Sequence, residues 1–415
     1  MRTLLPSPAN SNEPRALVVS PEAPYPLHGG GAIRTSCLLH YLAQRMPVDL
    51  VVFAVEGHRD PATDLPSGLV DSVQTVWLPV HSDSLPSKLR RNGVRLLRGR
   101  LPLADRFGEP QSLRAVERAV AGRSYSLAVI EHFWCAQYLP LVRSVAGQVV
   151  LNLHNVESEL HDTCSRSEPW PQNWAHGRFA THARALEARL LPDFDVVLAA
   201  SELDAERVRR IAPGARAAVM PNAAPLREAP EPLEENVVAF SGNLEYHPNL
   251  TAARYFAKQV WPGLSREFRD LKWRLIGRNH ERLQRELGGD PRIEFTGPVE
   301  DAVRELARSR FAVVPVQSGS GTRVKIMEAW SAKRAVISTP LGAEGLPILD
   351  QSNILLADSA ERWLVQARQL LLDEDMRRRI GSAGRETFED RLSWPAAWHA
   401  LGTALGTVSL PSSDA

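Results

Sequence analysis

The sequence has 415 residues, of which 44% are hydrophobic and 23% are charged, and its formal net charge at pH 7 is +1. This length favours two domains, or three at most, each with its own core. Because the net charge is close to zero, the protein surface as a whole is not expected to attract nucleic acid. We therefore expect no nucleic-acid partner and only local basic patches.

The cysteines Cys37, Cys135 and Cys164 are odd in number and far apart, without the paired spacing of a zinc or redox site. They are predicted to be buried or idle thiols in a reducing compartment. The apolar residues at the start are too few for a signal peptide, and no apolar run reaches membrane-spanning length. We therefore expect a cytoplasmic protein.

Short apolar runs alternate with helix-length amphipathic segments, which is the pattern of parallel α/β sheets. The first series of predicted strands covers residues 16–20, 49–53, 75–78, 127–131, 149–153 and 196–200. The second series covers residues 237–241, 272–276, 293–296, 312–315, 335–338 and 353–356. The predicted fold class is α/β, with two doubly wound, Rossmann-like domains.

The segment 225–236, rich in proline and glutamate, separates the two series and is predicted to be a linker. The first domain is predicted over 15–224 and the second over 237–389, and a last helix at about 390–406 could pack back on the first. Because such sheets bind ligands at the carboxyl ends of their strands, we expect the two domains to face each other across a cleft.

One segment, after the predicted strand at 312–315, has the residue types of a phosphate-binding turn. Its glycines let backbone N–H groups approach a ligand, the helix that follows presents free N–H groups, two cations add charge, and a carboxylate suits paired sugar hydroxyls. An ordinary strand-to-helix turn with solvated charges is the alternative. The candidate residues are Gly319, Ser320, Gly321, Thr322, Arg323, Lys325 and Glu328.

Two further candidates follow predicted strands of the first domain. Gly30 and Gly31 open a helix after the first strand, where a missing Cβ admits a diphosphate or sugar, although a flexible loop tip has the same composition. His154 follows the strand at 149–153 and could donate a hydrogen bond to a sugar, or could be a core histidine. Asp193 and Asp195 precede a strand and are interpreted as a turn, so we predict no metal site.

A basic segment, residues 88–106, begins at Lys88, ends at Arg106 and interleaves arginines with leucines. This pattern is typical of an amphipathic helix on anionic lipid, or of a grip on a lipid-linked acceptor. A solvated helix with one apolar face on the core explains the composition equally well. Gly93 weakens a continuous helix. The first interpretation places the protein peripherally on the inner membrane face.

The run from Gly319 to Trp330, followed by residues 336–345, resembles the donor-binding motif of family 4 glycosyltransferases of GT-B fold, in its Gly-Ser-Gly-Thr-Arg form. Residues 24–34, 153–157, 241–249 and 295–299 are similar to other loops of that family. The family often has a glutamate where this chain has Ser320.

The resemblance implies a retaining, hexosyltransferase-like enzyme that needs no metal and no cofactor other than its nucleotide-sugar donor. The first domain would bind a hydroxyl acceptor, such as a lipid-linked one, in polysaccharide or glycolipid biosynthesis, and the second would bind the donor. The implied catalytic residues are His154, Arg323 and Lys325. The implied donor-binding residues are Gly30, Gly31, Gly242, Asn243, Val299, Gly319, Ser320, Gly321, Thr322 and Glu328.

Two alternatives remain open at this point. A nucleotide-sugar epimerase of the same fold would bind the same donor. A catalytically silent sugar-nucleotide-binding protein would fit the replacement of the glutamate by Ser320.

Overall fold

The structure is a computed structural model that describes residues 13–27, 29–81, 84–168, 170–231, 233–244, 246–317 and 324–406. It divides into two compact units. The first comprises the described residues up to Met220 and those from Leu401 onward, and the second comprises Pro221–Ala400. Each unit contains one parallel sheet whose strands are linked by helices.

The first unit has a seven-stranded sheet in the order β3-β2-β1-β4-β5-β6-β7. Its strands β1 to β7 are Ala16–Ser20, Val48–Val55, Ser72–Leu78, Tyr125–Glu131, Ala146–Asn152, Val196–Ala199 and Ala217–Val219. Its helices α1 to α8 are Gly30–Ala43, Leu85–Leu97, Pro102–Phe107, Pro110–Val120, Leu139–Arg143, Glu157–Ser167, Gln172–Leu190 and Glu202–Ile211. Short 3₁₀ helices lie at Pro61–Asp64, Phe133–Tyr138 and Leu191–Asp193.

The second unit has a six-stranded sheet in the order β10-β9-β8-β11-β12-β13. Its strands β8 to β13 are Val237–Ser241, Lys272–Ile276, Ile293–Gly297, Phe311–Val314, Ala335–Ser338 and Leu355–Leu356. Its helices α9 to α15 are His247–Tyr255, Trp261–Glu267, Glu281–Leu287, Ala302–Ala307, Val324–Ser331, Ala360–Leu372 and Glu374–Arg391. The last helix, α16, is Trp394–Leu405, and the division between the units falls within it. A π-helical turn at Phe256–Val260 joins α9 to α10, and a 3₁₀ turn lies at Leu341–Ala343.

The central strands β1 and β8 are apolar except for a terminal serine, because helices cover both faces of a parallel sheet. In β1 every residue is buried, and Val19 lies opposite Val51 on one side and Ile130 on the other. Several helices begin at a side-chain cap: the Ser201 hydroxyl accepts the Asp204 N–H at the start of α8. Such caps satisfy amide groups that the helix leaves unpaired.

The core of the second unit fixes helix α13, which carries candidate site residues. Trp330 of α13 is fully buried, and its indole N–H donates to the Asn353 carbonyl at 3.1 Å. Ile326 and Met327 of the same helix are also fully buried. This packing holds α13 against the sheet and therefore fixes where its polar face points.

The structure confirms the predicted fold class, because each unit is a parallel α/β domain and every predicted strand overlaps an observed one. Strand β7 was not predicted, since three half-buried residues at a sheet edge leave little pattern. The basic segment forms two helices, α2 and α3, and α2 continues through Gly93. None of the helices in the described part of the chain combines the length and apolar character that crossing a bilayer requires.

Candidate functional site

Three neighbouring strands of the first unit deliver polar side chains to one edge of the sheet. Glu22 follows β1, His132 directly follows β4, and His154 lies two residues after β5. Because β1, β4 and β5 are adjacent and parallel, their carboxyl ends meet. Such an edge is the usual ligand-binding position of an open α/β sheet.

The two histidines form a stacked pair. The rings of His132 and His154 lie 3.5 Å apart between centroids, at an interplanar angle of 24°. Trp134 stacks on His132 in turn, at 4.3 Å and 16°. Burial lowers the pKa of each imidazole well below the usual range for histidine, and nearby positive charge lowers it further. Both rings are therefore neutral near pH 7.

His154 is oriented by the buried carboxyl of Glu131. The His154 Nε2 lies 2.7 Å from Glu131 Oε2, and Thr35 and Asn152 donate hydrogen bonds to the same carboxyl. Burial raises the pKa of Glu131, but these hydrogen bonds and the positive charge of Arg34 oppose that shift. A carboxylate surrounded by donors assigns the proton of His154 to Nε2, which leaves Nδ1 as an acceptor for a ligand hydroxyl.

Arg34 supplies the countercharge beneath this cluster. It is 1% exposed, its Nε and Nη2 donate to Asn152 Oδ1 at 3.0 and 2.7 Å, and its Nη1 donates to the Met220 carbonyl at 2.6 Å. Burial lowers the pKa of Arg34 to about 10, and the charge of Glu131 opposes that shift, so the guanidinium stays charged at neutral pH. Buried opposite charges linked by hydrogen bonds hold the cluster in one geometry.

His132 was missed by the sequence analysis, although the structure gives it an open hydrogen-bonding position. Within the described residues, its buried Nε2 has no hydrogen-bond partner, and a carboxylate oxygen of Glu22 lies 3.8 Å away. Its backbone φ is 61°, which few residues other than glycine adopt. An unsatisfied buried nitrogen in a strained loop at the ligand edge indicates a functional role. In the sequence, the one signal of this role was the position of His132 directly after the predicted strand at 127–131.

The predicted glycines of the first unit border this cluster. Gly30 and Gly31 open α1, as expected. A Cβ at Gly31 would lie 2.7 Å from Glu22 Oε2 and 3.6 Å from His154 Nδ1. The missing side chain therefore leaves the space beside the histidines open, at the positive end of a 14-residue helix.

Behind Trp134, two carboxyl groups share a buried position. The Trp134 indole N–H donates to Glu157 Oε1 at 2.9 Å, and Glu187 accepts from the Ser158 amide at 3.3 Å. Burial and mutual repulsion raise the pKa of Glu157 to about 8, and burial raises the pKa of Glu187 to about 7. Glu157 thus supports the indole that stacks on His132.

In the second unit, Glu328 reaches the end of β8 from α13. The Ser241 hydroxyl donates to Glu328 Oε2 at 3.1 Å. Burial raises the pKa of Glu328, while the charge of Lys325 and the Ser241 hydrogen bond oppose that shift. The carboxyl group is thus fixed at the carboxyl ends of the strands in the second sheet, and Lys325 lies one helical turn before it.

Gly242 follows β8 and admits the Lys325 side chain. Its φ is 145°, and a Cβ there would lie 2.9 Å from Lys325 Nζ and 2.9 Å from Asn249 Nδ2. Asn243 is anchored, because its carbonyl accepts from Asn249 at 2.7 Å and its side-chain oxygen accepts from Asn279 at 3.1 Å. The structure thus brings together Gly242, Asn243, Lys325 and Glu328.

The other predicted site residues fall into two groups. Val299 is partly buried and packs on the core of the second unit. Gly319, Ser320, Gly321, Thr322 and Arg323 lie outside the described residues. The described site residues therefore form two sets, one in each unit.

The described ranges contain no group of three or more His, Cys, Asp or Glu side chains arranged to hold a metal ion. The Asp193 and Asp195 pair has a structural setting, since Asp193 ends a 3₁₀ turn and Asp195 Oδ2 accepts the Val149 amide at 2.6 Å.

Two family profiles match the chain, one in each unit. A profile described as "Glycosyl transferase 4-like domain" matches residues 29–223. A profile described as "Glycosyl transferases group 1" matches residues 235–373. The sequence matches none of the curated proteins with which it was compared.

Several solved structures share the fold over nearly the whole chain. Sucrose-phosphate synthase from Thermosynechococcus elongatus is 17% identical with a TM-score of 0.72, covering 97% of this chain and 100% of its own. Anabaena HepE in complex with UDP-glucose is 16% identical with a TM-score of 0.63, covering 95% and 99%. A mutant of S. aureus TarM in complex with fondaparinux, alpha-GlcNAc-glycerol and UDP is 13% identical with a TM-score of 0.64, covering 94% and 99%.

Proposed function

Since the chain belongs to the glycosyltransferases of GT-B fold, we propose that it moves a sugar from a nucleotide-activated donor to a hydroxyl group of an acceptor. The 4-like domain covers residues 29–223, and the group 1 domain covers residues 235–373. The proposed reaction retains the anomeric configuration of the donor sugar. The observation that carries the proposal is the placement of Lys325 and Glu328 one helical turn apart at the end of β8. An ammonium beside a carboxylate fits a diphosphate joined to a ribose.

The second unit binds the nucleotide part of the donor in this proposal. Glu328 accepts hydrogen bonds from the two ribose hydroxyls, because a carboxylate can accept two donors at once. Lys325 lies beside Gly242, where the absent Cβ lets a diphosphate approach both the ammonium and the backbone. The solved complexes of HepE and TarM with UDP or UDP-glucose support a uridine nucleotide as the first donor class to test.

The first unit provides the hydrogen-bonding groups for the reacting sugars. His154 Nδ1 accepts from a hydroxyl of the transferred sugar, and Glu131 keeps that ring in place. The open Nε2 of His132 binds a second hydroxyl. Because both rings are neutral and already positioned, they stabilise the transition state without reorganising during the reaction.

The chemical step consists of two bond changes on the same face of the donor sugar. The acceptor oxygen bonds to the anomeric carbon while the bond from that carbon to the diphosphate oxygen breaks. The acceptor proton passes to the departing diphosphate. Lys325, together with the predicted Arg323, neutralises the leaving group, so we expect turnover to persist in excess chelator.

The acceptor in this proposal is a growing polysaccharide or a glycolipid precursor, both of which offer hydroxyl groups to a hexosyltransferase.

Release of nucleoside diphosphate, measured with and without acceptor, tests the proposal. A thermal-shift screen first selects the nucleotide sugar, because a ligand that binds only the folded state raises the melting temperature. A glycosyltransferase releases the diphosphate in an acceptor-dependent manner. An epimerase changes the sugar without releasing diphosphate, and a silent binding protein does neither, so either result would reject the transferase.

A further inference from the structure

Two tryptophans stand exposed at the tip of the hairpin formed by α6 and α7. Trp170 lies between the helices and is 80% exposed, and Trp174 in the first turn of α7 is 59% exposed. Neither belongs to the candidate site. Large aromatic side chains left in water are costly, and exposed ones commonly mark a contact surface.

The exposed side of α7 is basic. Arg178, Arg184 and Arg189 are exposed, whereas the only acidic residue of the helix, Glu187, is 1% exposed and faces the interior. Arg184 also contacts Glu159 of α6 at 3.2 Å. The exposed face of α7 therefore carries positive charge without an acidic residue of its own, which is complementary to an anionic surface.

Helix α2 extends this basic surface. It packs against α7, and a Cβ at Gly99, just beyond its end, would lie 3.1 Å from the His182 ring of α7. The sequence of α2 contains no acidic residue, and Arg90 is exposed. By contrast, Arg95 and Arg100 are held by Asp105 at 2.9 and 3.0 Å, so that part of the predicted basic segment is internally paired.

From these observations we infer that the α6–α7 tip and the exposed face of α7, with α2 beside it, bind the surface of an anionic lipid bilayer. The indoles of Trp170 and Trp174 enter the interfacial layer, which tryptophan prefers because one part of its ring is apolar and the other donates a hydrogen bond. Arg178 and Arg189 of α7, together with Arg90, lie among the anionic headgroups. The tip of a helix hairpin suits a flat, fluid surface better than a groove-bound peptide.

This surface is joined to the candidate site by a single helix. Helix α6 begins three residues after His154 and ends next to the tip. Its 11 residues span about 16 Å at the usual rise per residue. The histidine pair would thus stand at most about one helix length from the bilayer, within reach of an acceptor attached to lipid. Only this last consequence rests on the proposed function; the membrane contact does not.

Vesicle flotation of the full-length protein tests the inference. Wild type should float with vesicles of phosphatidylcholine and phosphatidylglycerol, bind poorly to phosphatidylcholine alone, and dissociate as salt screens the headgroups. Trp170→Ser with Trp174→Ser should lower the partition coefficient about tenfold or more, given the usual free energy of burying an aromatic side chain. Arg178→Gln with Arg189→Gln should lower anionic binding in the same way. Val80→Ser, at a residue that is 66% exposed in the same unit, is the matched control and should bind as wild type does.

Depth is measured with brominated lipids, which quench indoles that enter the bilayer. The chain has ten tryptophans, so the difference between wild type and the double tryptophan variant isolates the two at the tip. Quenching confined to that difference supports the inference.

The inference is overturned if wild type and both double variants float equally, or if wild type does not float at all. It is also overturned if the protein binds a soluble acidic polysaccharide without binding to vesicles. Because flotation needs no donor, these outcomes are independent of the transferase assay.

Discussion

His132 and His154 form a stacked pair whose two rings have different hydrogen-bonding roles. The Nε2 of His154 is held by Glu131 at 2.7 Å, whereas the Nε2 of His132, within the described residues, has no hydrogen-bond partner. Stacking at 3.5 Å and burial favour two neutral rings, because two positive charges at that distance would repel. The pair therefore offers hydrogen-bonding atoms to a ligand, while the charged groups of the cluster are Arg34 and Glu131.

The first prediction concerns His132→Phe. Phenylalanine keeps a ring between Trp134 and His154 but removes the open nitrogen, so we expect kcat/KM to fall roughly tenfold to a hundredfold, which corresponds to the loss of about one to three kcal/mol of hydrogen bonding. The melting temperature, recorded alongside, should fall modestly, because phenylalanine tolerates positive φ less well than histidine does. Full activity in this variant would remove His132 from the site.

The second prediction concerns the pH dependence of stability. The pKa of Glu157 is raised to about 8 and that of Glu187 to about 7, so both acids bind protons more tightly in the folded protein than in the unfolded chain. Their contribution is complete below about pH 4.5 and is lost as the pH rises through about 8. Ionising the pair should therefore cost on the order of a few kcal/mol.

Glu157→Gln tests this linkage, because the amide oxygen can still accept the Trp134 indole N–H. We expect the melting temperature of wild type to fall between pH 6 and about pH 9, and that of the variant to fall less. Thermal denaturation across this range measures both. Parallel pH profiles would show that Glu157 does not titrate as the structure implies.

The third prediction concerns Glu328→Ala. Removing a charged acceptor of two ribose hydroxyls should weaken donor binding by about one to three kcal/mol in calorimetry, while the fold persists because Ile326 and Trp330 hold α13 in the core. Glu328→Gln should lose less, since its amide oxygen still accepts one hydrogen bond. Unchanged donor affinity in the alanine variant would reject the ribose assignment.

The fourth prediction concerns Lys325→Ala. The loss of the ammonium beside Gly242 should lower affinity for free nucleoside diphosphate and reduce its salt dependence, whereas affinity for the nucleoside should not change. Lys258→Ala, at an exposed lysine on the π-helical turn of the same unit, is the control and should leave both affinities intact. If the two variants bind diphosphate alike, the phosphate site lies elsewhere.

The fold could be predicted from sequence because buried parallel strands leave a local signal. The runs that become β1 and β8 are wholly apolar except for a terminal serine, and each follows a polar residue, Arg15 or Asn236. Strand β7 has only three half-buried residues, so no pattern marks it. Gly93 lowers helix propensity, but the packing of α2 on α3 and α7 outweighs the cost of one glycine.

The site could be predicted only in part, because its geometry depends on residues far apart in the chain. The end of the strand at 149–153 pointed to His154, whereas Gly242 was implied only by the family resemblance. The partnership of Ser241 with Glu328 spans 87 residues, and that of Arg34 with Asn152 spans 118. The importance of His132 rests on a backbone angle and an unsatisfied nitrogen, neither of which is encoded in a local motif.

The most direct test of the central claim is the anomeric configuration of the product. Purified protein is incubated with the nucleotide sugar selected by thermal shift and with a soluble hydroxyl acceptor, and the new glycosidic linkage is followed by proton NMR. The proposed front-face reaction predicts a stable glycoside with the same anomeric configuration as the donor, formed in step with release of the nucleoside diphosphate. A product of inverted configuration would contradict the retaining mechanism, and a sugar changed without any new glycosidic bond would contradict transfer itself.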